Sequence, residues 1–288
     1  MPNDLIREEE PDIRMTENDA AKAYLDLWSL SLDGEPIVTH SSRLFPVRRN
    51  GKTAMLKFAV APEEKLGAAL MVWWNGVGAA HVLEHQGDAI LLERATGERS
   101  LIDMARNGGD DEASRIICRA VAGLHAPRGS LLPSLIPLAH RFRSLEEAAN
   151  REGGAFARSA AIARALLAEP RDIVTLHGDV HHGNFLDFAE RGWLAIDPKG
   201  LVGERGFDYA NLFCNPDHAV ATTPGRLARQ VDVVTDAARL ERRRLLQWIV
   251  AWAGLSAAWL IEDGADEHIR PTLQVADIAA AELDSIAV

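Results

Sequence analysis

Cysteine is nearly missing from this chain: 288 residues contain two, Cys118 and Cys214. Two thiols cannot frame a disulfide-stapled fold, which fits a reducing cytoplasm. Both lie in apolar surroundings and read as inert buried thiols. No apolar run approaches the ~18 residues a membrane span needs. The opening stretch MPNDLIREEEPD is acidic and has no apolar centre, so no secretory signal is expected there. Positive charge is in deficit, with 31 Lys and Arg against 42 Asp and Glu, a net charge of −11. Such a surface repels phosphate backbones and argues against nucleic acid or a membrane as partner. A cationic small molecule would be attracted instead, and a homo-oligomer is compatible with everything here.

What is present is an ordinary globular composition, 47% hydrophobic and 25% charged, long enough for two lobes with real cores. Residues 1–15 are charged and carry Pro2 and Pro11, so a disordered tail is expected. Thr16 would cap a helix running to about Trp28 or Leu30. Residues 36–44 and 45–49, then Asn50-Gly51, then 52–60, predict a small antiparallel sheet, because Asn-Gly between alternating runs is a strong hairpin signal. Pro62-Glu63-Glu64-Lys65 opens a helix through Trp74. A strand pair over 81–85 and 88–93 follows, and from Ser100 the period becomes helical. The expected helices are 112–125, 142–150, 156–169, 226–238, 241–261 and 271–286, with 131–138 and 200–205 read as loops. In the long helix, Leu245, Trp248, Ile249, Trp252, Leu255 and Trp259 form a core stripe.

The chemistry concentrates in Thr175–Asp197, TLHGDVHHGNFLDFAERGWLAID. Two apolar runs, 173–176 and 193–196, flank a polar knot with Asp179, His181, His182 and Asn184, and Asp197 follows the second run. If the two runs pair, Asp197 returns beside the knot. Phosphoryl transfer needs an acceptor hydroxyl held in line and metal ions on the phosphates, and little else. Asp179 could accept the hydroxyl proton, while Asn184 and Asp197 offer the hard oxygen ligands that Mg²⁺ prefers. A zinc hydrolase built on His177, His181 and His182 is the rival reading. It is disfavoured because Gly178 and Gly183 argue against a helix that would place histidines on one face. A non-catalytic nucleotide-binding module is the second rival.

His177-Gly178-Asp179-Val180-His181-His182-Gly183-Asn184, with Ile196-Asp197-Pro198, resembles the aminoglycoside phosphotransferase family, in particular its aminoglycoside/hydroxyurea antibiotic resistance kinase branch, the streptomycin 6-kinase type. Residues 201–212, Asn215-Pro216 and 254–259 agree, and the resemblance extends from about Ile37 onward. It implies an α+β, protein-kinase-like two-lobe fold. A small mixed, β-rich N-lobe would take residues 1–94 and a larger, mainly helical C-lobe residues 95–288.

The implied activity is transfer of the γ-phosphate of ATP, with Mg²⁺, to a hydroxyl of a streptomycin-like aminoglycoside or a hydroxyurea-type acceptor. Other small amino alcohols or sugars remain as alternative acceptors. Lys57, alone among six apolar residues, corresponds to the strand lysine that meets the α- and β-phosphates. Glu64 is expected to pair with it, with Glu63 as the alternative. The segment Thr39–Arg43 would cover the phosphates, yet it contains no glycine, and only Ser41 and Ser42 offer hydroxyl and backbone donors. The backbone of Glu93–Ala95 would carry the adenine. His181 would line the catalytic loop, Glu204 would bind a cationic or hydroxylated substrate, and Asp263 would lie on the substrate side. Asp208 and His125 read as structural.

Overall fold

The computed structural model of the protein describes residues 17–39, 42–59 and 62–286, so the expected cap at Thr16 lies outside it. The chain opens with helix α1 (Glu17–Leu27), which lays Ala21, Tyr24 and Leu25 on a sheet. Ser29 then adopts a left-handed φ of 54° and turns the chain out of the helix. Residues expected to end α1 therefore form the short strand β1 (Leu30–Leu32). Strands β2 (Ile37–Val38), β3 (Ser42–Arg49) and β4 (Lys52–Ala59) follow. Asn50 and Gly51, at φ 51° and 77°, make the turn joining β3 to β4, the two-residue type with positive φ at both positions.

Helix α2 (Pro62–Trp74) comes next and stops at Asn75-Gly76, both left-handed. Strands β5 (Val82–Gln86) and β6 (Ala89–Glu93) complete an antiparallel sheet of order β1-β3-β4-β6-β5, with β2 also on β3. Side chains alternate across a strand. Ala54 and Leu56 of β4 therefore enter a core with Phe45, Val47, Ala89 and Leu91, under α1. Met55 and Lys57 face the other way, into the space between the lobes.

The second part is mainly helical: α3 (Leu101–Arg106), α4 (Asp110–His125), β7 (Ile136–Pro137), α5 (Arg143–Glu152) and α6 (Gly154–Ala168). Then come β8 (Ile173–Leu176), β9 (Phe185–Asp187), β10 (Trp193–Ala195) and β11 (Leu201–Glu204). Helices α7 (Gly206–Ala210), α8 (His218–Ala221), α9 (Arg226–Ala238), α10 (Arg242–Glu262) and α11 (Asp266–Ser285) finish it. Helix α11 begins before the expected Pro271, which sits inside it. By length and composition α10 could cross a membrane. Here it is the centre of the lobe, packed against α5, α6, α7, α9 and α11, with Trp248 and Leu255 fully buried.

The two apolar runs flanking the polar knot do not pair with each other. β10 pairs with β9, a strand of three residues inside the knot, and β8 pairs with β11, which was expected to be a loop. Gly203 of β11 permits this, since a Cβ there would lie 2.6 Å from Leu138 Cβ. Asp197 nevertheless returns to the knot, because the Ile196 N–H bonds to Asn184 O at 2.9 Å and the Lys199 N–H to His177 O at 2.7 Å.

Besides the core under α1, a second apolar cluster runs across both parts. Leu70, Met71 and Trp74 of α2 belong to the cluster that includes Leu176, Val180 and Phe185, and the Trp74 ring stacks over His177. The approach is close: a Cβ on Gly67 would overlap the Pro198 carbonyl oxygen, and one on Gly200 would lie 2.6 Å from Leu66 Cβ. Helix α2 is therefore seated on the segment that carries Asp197. Gly67→Ala is expected to destabilise the protein by about 1–3 kcal/mol, the usual cost of overpacking against backbone. Urea denaturation reads this directly, and an unchanged midpoint would show that α2 is not held there.

Candidate active site

The catalytic-loop segment is shaped by one buried carboxylate. Asp208 Oδ2 accepts the His177 N–H at 2.9 Å, and Oδ1 accepts the Gly178 N–H at 2.8 Å. His125 Nε2 lies 2.8 Å from Oδ2, so the helix-end histidine holds the anchor in turn. Gly178, at φ 83°, makes the tight turn this requires. The His177 ring is fully buried, and burial lowers its pKa, keeping it neutral despite the carboxylates nearby. Its Nε2 stands 2.8 Å from Ile196 O, and its Nδ1 accepts the Asp179 N–H at 3.2 Å. These bonds assign the proton to Nε2. One ring thus spans the knot and the Asp197 segment, a bracing role with both nitrogens engaged in hydrogen bonds.

Asp179 projects from this loop with its side chain part-exposed. Oδ1 accepts from Asn211 Nδ2 at 3.0 Å and Oδ2 from Asn184 Nδ2 at 3.2 Å, while His181 Nε2 stands 3.6 Å from Oδ2. Burial works against the charged form. The nearby His181 ring and the Lys199 ammonium outweigh it, so the carboxyl lies below its usual range. Asn184 also donates to Asp179 O at 2.9 Å. Its amide nitrogen is thus turned to Asp179, and its carbonyl oxygen is the atom left to face a cation.

Across the cleft, four charges close a ring. Lys57 Nζ bonds both Glu64 Oε2 and Asp197 Oδ1. Lys199 Nζ bonds the other oxygen of each acid, Glu64 Oε1 at 2.8 Å and Asp197 Oδ2 at 3.0 Å. The two lysine side chains are each 12% exposed and Glu64 only 2%, so water screens the ring weakly. Burial opposes ionisation of Asp197, but the charges of Lys57 and Lys199 prevail and hold its carboxyl far below the ordinary range. The same acids hold the Lys199 ammonium well above its ordinary range. Pairing Lys57 with the second of the two glutamates has a simple cause: Ser42 Oγ also donates to Glu64, at 3.2 Å, fixing that carboxylate against the sheet.

The ring opens onto a cavity of about 460 Å³ between the lobes. Lys57, Ser42, Glu93, Ala95, Asn184 and Asp197 all line it, with an apolar floor that includes Leu186, Phe188 and Ile196. The size and chemistry suit a purine and its phosphates. Glu93 contributes backbone to this wall, because its carboxylate is occupied by the His81 N–H and Arg191. The linker is held at both ends, by Arg94 to Asp33 and by Arg99 to Asp187, where Arg99 Nε bonds Asp187 Oδ2 at 2.7 Å. Two hard oxygen donors, from Asn184 and Asp197, on one cavity wall fit a magnesium ion.

The structure does not bring every expected residue to the cleft. Ser41 lies outside the described residues, and the Ser42 hydroxyl is turned to Glu64 instead of standing free for phosphate. Glu204 is a correction: it is buried in the C-lobe, not offered to a substrate. Its carboxylate takes Arg244 through Nε at 2.7 Å and NH2 at 2.6 Å, Trp248 Nε1 at 2.8 Å and the Arg171 N–H at 2.9 Å. Asp263 is the exposed C-terminal cap of α10 and is not among the cavity residues. His182 is buried in the C-lobe, where burial first, then Arg226, push its pKa down to about 4. Two residues were missed. Lys199 stands two positions after Asp197, in a segment where Asp197 itself is left-handed at φ 62°, so spacing alone gave no signal. Asn211 gives no sequence signal of its own role.

The class that this fold and site define is a small-molecule kinase with a protein-kinase-like fold. The sequence profile of the aminoglycoside/hydroxyurea antibiotic resistance kinases matches residues 27–264, and the chain belongs to that family. It is 50% identical to a streptomycin 3''-kinase of Klebsiella pneumoniae over 89% of this chain and 98% of that protein. It is 33% identical to a streptomycin 6-kinase of Streptomyces griseus, over 89% and 87% respectively. Among solved structures, aminoglycoside phosphotransferase APH(4)-Ia superimposes with a TM-score of 0.67 at 13% identity, covering 92% of this chain and 98% of that one.

The burial of Glu204 yields a test that separates a structural from a substrate-binding carboxylate. Glu204→Ala leaves Arg244 buried without its partner, which is expected to cost about 3–5 kcal/mol in chemical denaturation. Below the unfolding transition, KM for the acceptor should stay at the wild-type value. A raised KM with unchanged stability would return Glu204 to the substrate.

Proposed function

We propose that this kinase transfers the γ-phosphoryl group of ATP to a hydroxyl of a streptomycin-type aminoglycoside, at the 3'' position. The acceptor assignment is supported by 50% identity over nearly the whole length of a streptomycin 3''-kinase, against 33% for a 6-kinase. The single observation that carries the chemistry is the convergence of Lys57, Asn184 and Asp197 on one cavity, with Asp179 hydrogen-bonded to Asn184 at its edge.

The nucleotide base would lie along the Glu93–Ala95 backbone, over the apolar floor, with its phosphates toward Lys57. Asn184 and Asp197 would hold Mg²⁺, which when bound neutralises charge on the phosphates. Asp179, positioned by Asn184 and Asn211, orients the acceptor hydroxyl. As the acceptor oxygen bonds to the γ-phosphorus, the bond from that phosphorus to the β–γ bridging oxygen breaks and ADP leaves. The hydroxyl proton passes to Asp179. A carboxylate below its usual pKa is a weak base, which suits a loose transition state in which the proton moves late. The main work of Asp179 is then placement.

Purified protein incubated with MgATP and streptomycin should yield a monophosphorylated product, with the ester located at 3'' by NMR. Asp179→Asn should lower kcat by about 10²–10⁴, the usual range for a lost acid–base group. MgADP affinity should be largely kept. Turnover undiminished in that variant would remove Asp179 from its role. Phosphorylation of hydroxyurea or a small amino alcohol, and not of streptomycin, would overturn the acceptor.

A further inference from the structure

Lys57 and Glu64 account for the usual needs of a phosphate-facing lysine and its orienting acid, yet the ring contains a second ammonium. Lys199 bonds the remaining oxygen of Glu64 and the remaining oxygen of Asp197. As a result each oxygen of the Asp197 carboxylate already has a cation. The ring holds two positive and two negative charges, so it is neutral as it stands. Removing Lys199 would leave it at −1, beside Asp179, which carries another negative charge.

We propose that Lys199 is a positioning residue that keeps Asp197 from a free divalent cation and releases it only to a cation arriving with nucleotide phosphates. This rests on the phosphotransferase reading of the cleft. The argument is one of counter-charge. A bare divalent ion seeking Asp197 must displace two ammonium groups, and Glu64 alone cannot compensate both. Both lysines are nearly buried, so bulk water compensates them little. Phosphates entering the cleft bring negative charge of their own, onto which the ammonium groups can turn, and Asp197 is then freed. Lys199 is well placed for this exchange. Its backbone is tied to His177 O at 2.7 Å, and its neighbours Pro198 and Gly200 pack on Gly67 and Leu66 of α2. Its backbone is therefore held beside the two acids, while its side chain can turn the ammonium from Asp197 to a phosphate.

The test uses Mn²⁺ as the probe, counted by the electron paramagnetic resonance signal of the unbound ion, with the full-length protein and no nucleotide. Lys199→Met should bind Mn²⁺ about ten-fold or more tighter than wild type, because an anion is left without its partner. Lys199→Arg, which keeps the charge, should stay near wild type. Adding Asp197→Asn to Lys199→Met should cancel the gain. Calorimetry with MgADP should show the opposite trend, with affinity lowered several-fold in Lys199→Met. Lys199→Gln is read in the same way and serves if the Met variant does not fold. Free Mn²⁺ affinity equal to or below wild type in the neutral variants, or a gain that survives Asp197→Asn, overturns the proposal. MgADP binding by the wild type keeps the two levels apart: if the wild type binds none, the nucleotide reading itself fails, and if it binds, only the role of Lys199 is at stake.

Discussion

Glu64 is the point on which the cleft depends. One carboxylate, almost sealed from water, receives Ser42 from the sheet, Lys57 from the neighbouring strand and Lys199 from the far lobe. Each ion removed from water costs several kcal/mol, and mutual attraction returns that only with good geometry. Such a ring adds little to net stability. What it secures is position: Glu64 keeps Lys57 at the wall of the cavity, and Glu64 cannot move unless α2 moves.

Helix α2 is in turn fixed by packing. Its C-terminal half is part of the C-lobe core, and its glycine contact with Pro198 allows the helix and the segment carrying Asp197 to touch backbone to backbone. The lobes are therefore joined at the linker Glu93–Arg99, at the seat of α2, and where Gly78 and Ala80 exchange backbone bonds with Ala195. Between them lies the cavity. The other wall is organised by Asp208, which draws the His177 and Gly178 amides inward and so points Asp179 outward. Asp179 and Asp197 thus have separate supports, linked through Asn184, the His177 ring and the Lys199 N–H on His177 O.

Much of this was legible because it is local. Asn50-Gly51 demands a hairpin by its own backbone preferences, and a single lysine among six apolar residues marked Lys57. The Asp179-to-Asn184 spacing could hardly separate two side chains that bond at 3.2 Å. What was not legible is non-local. Strands β8 and β10 looked like partners because they flank one knot. The true pairings go through β9, too short at three residues to signal itself, and β11, whose Gly203 reads as loop. Glu204 looked available for substrate because the residues that occupy it, Arg244 and Trp248, lie forty or more positions away. Lys199 carries no local signal, because it is buried only by the fold of α2 over that segment.

The central claim is that the Lys57–Glu64–Asp197–Lys199 ring faces the nucleotide. Hydrogen–deuterium exchange of the wild-type protein with and without MgADP tests it most directly. The account predicts slowed exchange confined to β4 with the start of α2, the linker at residues 92–95 and the segment 184–199. Unchanged exchange in all three, with protection elsewhere in the C-lobe, would contradict it.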